Sequence, residues 1–597
     1  MTMASRWMGT PLERRSVLRG AGLGLAGLTG AALFGCGGSQ SSSGGESTGA
    51  QAGGQASVAG SGAPAKVTRA DGFDPKLGTV PVNNKKLVKG GTYRRAGTDT
   101  SRENDPDVSI AQADWELVGD RLATANGFNM KLSLDMLASY EWIDKQNLVL
   151  KIRPGIKTHN VAPFNNRVFT AKDVAFNIKR KAGLLDPKLA AAKYPRYAQF
   201  DGITDAVAVD DVTVKVTLSK PNGSLMAALA DPRANMIPVE MEQIGFKDPM
   251  KFGATGAWIP TSYVDGTRQT FKANPDYFRN FDEGARPGWD NYEKVVIVDR
   301  GSLVAAFISG QIDVLNAVQP QEEAQVFAVK GAQKSLTPGP TWDHFAVNLK
   351  LPQFQDDRVR QAFQLALDYK AFSDPLGAGW LYGGPVHTMF PESLTSDEIG
   401  KLPGYNAATK AADIANAQKL MEAAGFKEGA GIKFKQINSS AASLDSSVRL
   451  KDMWSKAFPK MDVVVSANSD YAQFTNALNS RTFEARSYNH TSVPDAALDA
   501  YTYYHTKGGR NYQSYSKPWA DAAMDKLLLA TTIEERKQIV QAFEKQYIQE
   551  GPPLLQIRHP ADNIAIAGHV AGNDLCIGPW AYNSYGVSPR WTWQTEK

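Results

Sequence analysis

The sequence predicts an α/β protein built from at least two separately packed lobes, and three observations carry that reading. Strand-like and helix-like patterns alternate along most of the chain, as they do when helices cover a sheet. From about Lys86 to Lys597 some 510 residues remain, whereas single hydrophobic cores stop growing near ~250–300 residues. Only two cysteines occur, Cys36 and Cys576, so no disulfide framework substitutes for those cores.

The N-terminus reads as an export leader. Residues 13–19, ERRSVLR, precede a Gly/Ala/Leu-rich apolar stretch from Ala21 to Phe34 that runs into Leu33-Phe34-Gly35-Cys36. Basic residues, a short apolar run and a small residue before a cleavage point are the parts of a signal peptide. Arg14-Arg15 followed by Val17 and Leu18 resembles a twin-arginine signal, without the phenylalanine common at the Val17 position. About 14 apolar residues are too few for the ~20 that a spanning helix needs. Cys36 sits where a lipoprotein leader places the cysteine that is acylated after cleavage, so the expected product is held at the outer face of the cytoplasmic membrane. Residues 37–85 form the expected linker; within it, 37–65 hold 16 Gly or Ser among 29 positions. Such a segment cannot bury enough surface to offset its ordering entropy, and as a coil of that length it reaches roughly 30 Å.

Further on, the periodicities become specific. Thr170 before AKDVAFNIKR, with Asp173 three residues on, predicts a capped helix with Ala171, Val174, Ala175 and Ile178 on its inner stripe. Residues 209–218, VDDVTVKVTL, place Val212, Val214, Val216 and Leu218 on one face of a strand. Residues 295–299 read as a strand, 303–309 as a helix ended by Gly310, and 312–314 as extended. A helix after Asp357 carries Val359, Phe363, Ala366 and Leu367 inward, and another runs from about Ala411 to Ala424 and stops at Gly425.

Charge and motifs exclude several classes. The leader's four arginines against Glu13 account for +3 of the chain's +5, which leaves about +2 and no basic excess for nucleic acid. The seven histidines show no metal-ligand spacing and there is no Cys-x-x-Cys, so no metal and no cofactor is expected. Neither a phosphate-binding Gly-x-x-x-x-Gly-Lys loop nor a Gly-x-Ser-x-Gly elbow is present.

In their order, several segments resemble the large extracytoplasmic solute-binding proteins of the dipeptide, oligopeptide and nickel type, family 5. They are KGGTYRRAGTDTSRENDP (89–106), WIDKQNLVLKIRPGIKTHN (142–160), FTAKDVAFNIKR (169–180), DDVTVKVTLSKPNGSLMAALADP (210–232), GATGAWIPTSYVDGTRQTFKANPDYFRN (253–280), HFAVNLKLPQFQDDRVRQAFQLALD (344–368) and YNAATKAADIANAQKLMEAAGF (405–426). The resemblance spans about 86–560 and implies a two-lobed periplasmic-binding-protein fold with a hinge. Lobe I would comprise 86–340 with an extra subdomain, lobe II 341–552, and 553–597 would return to lobe I, with crossings near 336–345 and 550–558. It further implies a monomeric binding protein, not an enzyme, that captures a peptide-like or other small polar or anionic molecule and delivers it to ABC permease and ATPase subunits. A sensor for a signalling partner and an exported enzyme are the alternatives.

The resemblance also directs attention to a ligand segment. Peptide-binding relatives place an Asp in the stretch matching 483–496 to pair with a peptide's amino group. Here that stretch reads FEARSYNHTSVPDA, with Ser492 near the position of the Asp. A buried ammonium without a carboxylate is costly, which argues against a peptide with a free amino terminus bound there. Arg486, Tyr488, Asn489 and His490 are the leading ligand-facing candidates, Arg486 offering a bidentate fork and Tyr488 a stacking face. Trp380 and Tyr382, in the Gly-rich GAGWLYGGP loop, are the second group.

Overall fold

Alternating apolar residues build three sheets of four or more strands in a computed structural model. It describes residues 85–97, 105–108, 115–125, 132–186, 197–281, 284–285, 288–466, 471–493, 495–530, 532–571 and 593–595. Arg14, Arg15, Cys36, residues 37–84 and Cys576 lie outside the described residues.

A seven-stranded sheet runs in the order Gln333–Pro338, Ala561–Ile566, Val314–Leu315, Thr92–Gly97, Asn291–Val296, Arg268–Ala273, Trp258–Val264. Thr92–Gly97 lies parallel to both neighbours and the remaining pairs are antiparallel. A four-stranded antiparallel sheet, Leu137–Asp144, Asn147–Ile152, Thr213–Leu218, Ile203–Ala208, is covered by the helix Ala171–Lys181. A six-stranded mixed sheet follows, in the order Leu381–Tyr382, Leu554–His559, Thr341–Val347, Ala485–Thr491, Lys433–Asn438, Asp462–Val465.

Local chemistry explains the element ends. Thr170 and Asp173 form a reciprocal capping box, and Asp173 also takes two bonds from Arg167, at 2.6 and 2.9 Å. The strand expected over 209–218 begins only at Thr213, because Asp210 accepts from the Val212 and Thr213 amides and holds 209–212 as a turn. Asp299, expected to end a strand, instead caps the helix Arg300–Ile308 through the Ser302 amide, and the preceding strand stops at Val296. The helices Asp357–Ala366 and Lys410–Ala423 stand where periodicity puts them.

The cores divide the molecule in two. The buried residues of three apolar clusters come from 93–326 and 564–570 and those of three others from 342–557, with Leu498 of the second set packing against the first. The chain passes from the seven-stranded to the six-stranded sheet at Gly339-Pro340 and returns at Pro560. The return falls after 550–558 because Leu554–His559 is itself an interior strand of the six-stranded sheet, paired with Thr341–Val347. The two crossings touch: the Gly339 amide donates to the Pro560 carbonyl at 3.3 Å.

Candidate functional site

Where the chain crosses twice, the two sheets face each other across a cavity of about 630 Å³. Loop 317–323 and Ala561, Asp562 and Asn563 line it from the seven-stranded side. Thr341, Asp343, His344, Ser487, Tyr488, Asn489 and Arg558 line it from the six-stranded side, joined by Gly377, Ala378 and the 443–449 helical turn. The volume suits a small organic ligand, and clefts between lobes are where such ligands commonly bind.

Most of the charged lining is bound within the protein. Arg558 Nε donates to Asp343 at 2.9 Å, Arg449 Nε to Asp445 at 2.8 Å, and Glu323 accepts from Lys334 at 2.9 Å and from Asn563 at 2.7 Å. Asp562 differs. Among the described residues no ion pair or side-chain hydrogen bond reaches its carboxylate, which packs on Gly339 so closely that a Cβ there would lie 2.6 Å from Oδ2. Asp562 is half-buried, and the protein packed around it pushes its carboxyl up to about 8, because the ionised form loses water without gaining a partner.

The six sequence candidates separate by depth. In Ala485–Thr491, Arg486, Tyr488 and His490 share one face of the strand. Tyr488 and Asn489 reach the cavity; Tyr488 stands edge-on to His344 at 5.6 Å and Asn489 is exposed. Arg486 lies behind the wall, fully buried, with Nη1 against His344 Nε2 and its guanidinium 5.6 Å from the Phe483 and Tyr512 rings. Among the described residues, Nε and Nη2 of Arg486 make no hydrogen bond. Burial holds the Arg486 guanidinium below its ordinary value, and burial plus Arg486 hold His344 well below, so His344 is a neutral imidazole at the wall. His490 is buried against Trp342, edge-on at 5.2 Å, and takes a contact from Arg510 at 2.6 Å; burial and then Arg510 keep it neutral.

Trp380 and Tyr382 are not in the lining; their loop meets the cavity through Gly377 and Ala378. Trp380 donates to Asp374 at 3.1 Å and packs edge-on against Tyr382 at 5.0 Å, and Tyr382 is pinned in a two-residue strand on Leu554–His559. Ser492 is buried and accepts from Trp342 Nε1 at 3.0 Å. Sequence reasoning missed Asp562, Asp343 and Arg558. The signal for them was closeness to the expected crossings, Asp343 within 336–345 and Arg558 and Asp562 at or just after 550–558. Among the described residues no group of three or more His, Cys, Asp and Glu side chains could hold a metal ion.

Comparisons with known proteins agree with this architecture. Residues 131–511 match the family described as bacterial extracellular solute-binding proteins, family 5 Middle. The chain is 28% identical over 310 residues to the glutathione-binding protein GsiB of Pectobacterium atrosepticum, a match covering 50% of this chain and 54% of that one. It is 22% identical over 473 residues to the di/tripeptide-binding protein 3 of Pseudomonas aeruginosa, covering 74% of this chain and 84% of that one. The match thus spans about half of the glutathione binder and most of the di/tripeptide binder. In fold, the chain is similar to the ABC transporter-associated periplasmic binding protein DppA from Helicobacter pylori in complex with peptide STSA. The TM-score is 0.70 at 17% identity, over 85% of this chain and 99% of that one.

Proposed function

Because the chain belongs to the bacterial extracellular solute-binding proteins of family 5, we propose that it captures a small polar solute between its two sheets and hands it to an ABC importer. The observation that carries this reading is the 630 Å³ cavity, which draws its walls from both sheets at the point where the chain crosses between them. Gly339-Pro340 and Pro560 are the natural hinge: two short crossings joined by one hydrogen bond can bend, and opening there would also part Ser224 from Asp495 (2.9 Å) and the Gly223 amide from the Leu528 carbonyl (3.3 Å). Closure on a solute would then be stabilised by contacts that only the shut form makes. A micromolar affinity corresponds to about −8 kcal/mol, within reach of a few placed polar groups and an aromatic face.

Tyr488 and Asn489 are the contact residues in this reading. Arg486 and His490 back them, and Trp380 and Tyr382 stiffen the loop that carries Gly377. The protein binds its solute without transforming it, acts as a monomer, and hangs from the membrane by a lipid on Cys36 after export through the Arg14-Arg15 leader. The names of similar proteins put dipeptides, tripeptides and glutathione among the first solutes to try. Native mass spectrometry of the protein purified from its own host tests the capture step: a co-purifying small molecule whose retention drops in Tyr488→Ala is expected, and a molecule retained equally by that variant counts against the cavity. Cys36→Ser tests the anchor, since it should move the protein from the membrane fraction to the soluble one.

A further inference from the structure

The cavity wall contains one carboxyl without a partner among the described residues. Arg449 and Arg558 each hold a carboxylate, Glu323 is held by Lys334 and Asn563, and no lysine is among the described lining residues. His344 is kept uncharged by burial and by Arg486 behind it. Among the described lining residues, Asp562 alone is an ionisable group with neither an ion pair nor a side-chain hydrogen bond. It projects from the second residue after the Pro560 crossing and rests on Gly339 of the other crossing, so it belongs to the hinge and to the cavity at once.

An anionic solute would find both wall arginines already occupied and would face Asp562 across the space. A solute carrying an organic cation would supply the one missing partner and gain a charge-assisted hydrogen bond in a partly dehydrated site. Building on the capture of a solute in this cavity, we propose that Asp562 is the specificity-determining residue of the site and selects solutes bearing an N–H cation, an ammonium or guanidinium group. The solute cation takes the place that a proton holds in the empty protein. The empty carboxyl, raised to about 8 by burial, keeps its proton at neutral pH, and an arriving cation favours the ionised form, so the proton leaves to solvent. The charged groups on the surrounding elements, Glu323, Lys334, Asp343 and Arg558, are bound to one another and do not compete for Asp562. Binding is therefore linked to release of a proton and strengthens as pH rises toward 8.

The test is isothermal titration calorimetry on the full chain with agmatine, spermidine and alanyl-alanine, each beside its N-acetylated form and beside succinate, in two buffers of different ionisation enthalpy. At least one cationic probe is expected to bind with close to one proton released at pH 7. That affinity should rise several-fold from pH 6.5 to 8 and fall at least tenfold on N-acetylation. Asp562→Asn, which keeps the side chain's size and cannot ionise, should fold normally by thermal melt, bind that probe at least tenfold more weakly and release no proton. Tyr488→Ala separates the two ideas. Binding weakened by Tyr488→Ala but untouched by Asp562→Asn overturns the role of Asp562 and leaves capture in the cavity standing, whereas binding that neither variant alters overturns both. Proton uptake on binding, or failure of all the cations to bind whether or not succinate does, also overturns the proposal.

Discussion

The two walls of the cavity are made of similar strands and behave differently. On the six-stranded side, the strands Thr341–Val347, Ala485–Thr491 and Leu554–His559 carry polar residues that are nearly all bound or packed: Arg558 on Asp343, Arg486 on His344, Trp342 on Ser492. On the seven-stranded side, Ala561–Ile566 brings Asp562 to the same space with no partner among the described residues. A charged residue in a ligand-matching segment is therefore a poor guide on its own. What decides whether it can meet a solute is whether the fold has already matched it, and burial among rings has removed Arg486 from the open wall while the hinge has left Asp562 on it.

The largest effect that would break this contrast is on stability. Trp342 is fully buried and packs on His344 at 4.6 Å, Tyr503 at 5.0 Å and His490 at 5.2 Å. Trp342→Ala should cost about 3–5 kcal/mol, and Val318→Ala on the opposite wall only about 1–2 kcal/mol, measured by denaturant unfolding. Equal losses would mean that the six-stranded wall is no better packed than its partner.

Buried histidines and buried carboxyls titrate in opposite senses. His344, His387, His490 and His559 in or behind the six-stranded wall, and His159 elsewhere, are all held neutral by burial, His387 at about 3 and His159 at about 4. A histidine whose folded value is depressed contributes stability above about pH 6.5 that is lost as pH falls toward the folded value. Asp499, raised to about 6, and Glu544 and Asp562, raised to about 8, contribute stability below about pH 4 that is lost as pH rises through those values. Five histidines outweigh three carboxyls on the acid side, so stability should peak near pH 6.5, drop by roughly 1–3 kcal/mol by pH 5, and decline again toward pH 8. In Asp562→Asn the alkaline decline should be shallower. A melting temperature that rises steadily from pH 5 to 8 would contradict this.

Smaller effects sharpen the contrast. Arg558→Met leaves Asp343 partly buried and unpaired at the wall, and a loss of about 1.5–3 kcal/mol of stability is expected, the scale of a charged hydrogen bond. Tyr488→Ala should leave the fold intact and weaken the captured solute by about 1–2 kcal/mol, the scale of a truncated aromatic contact. A stable protein with unaltered affinity would move the solute off that wall.

Much of the fold was legible because local chemistry and tertiary packing agree. The Thr170 and Asp173 pair announces its helix, and Val214, Val216 and Leu218 announce their strand, since capping and alternation are read over a few residues. The site was legible only in part. The run ARSYNHT looks like a polar strand open to a cleft, and nothing local reveals that Phe483, Tyr512 and His344 close over Arg486. Trp380 and Tyr382 look like exposed aromatics beside glycines, but they pack on each other and on Asp374. Asp562 was invisible for the converse reason: after Pro560 it reads as a loop aspartate, and only the meeting of two distant crossings, Gly339 and Pro560, makes it part of a wall.

The most direct test of capture between the sheets is an X-ray structure of the full chain purified with its natural solute bound. Density for a small molecule between loop 317–323 and Ser487–Asn489, touching Tyr488, is the expected result. A solute seated anywhere else on the chain would contradict it.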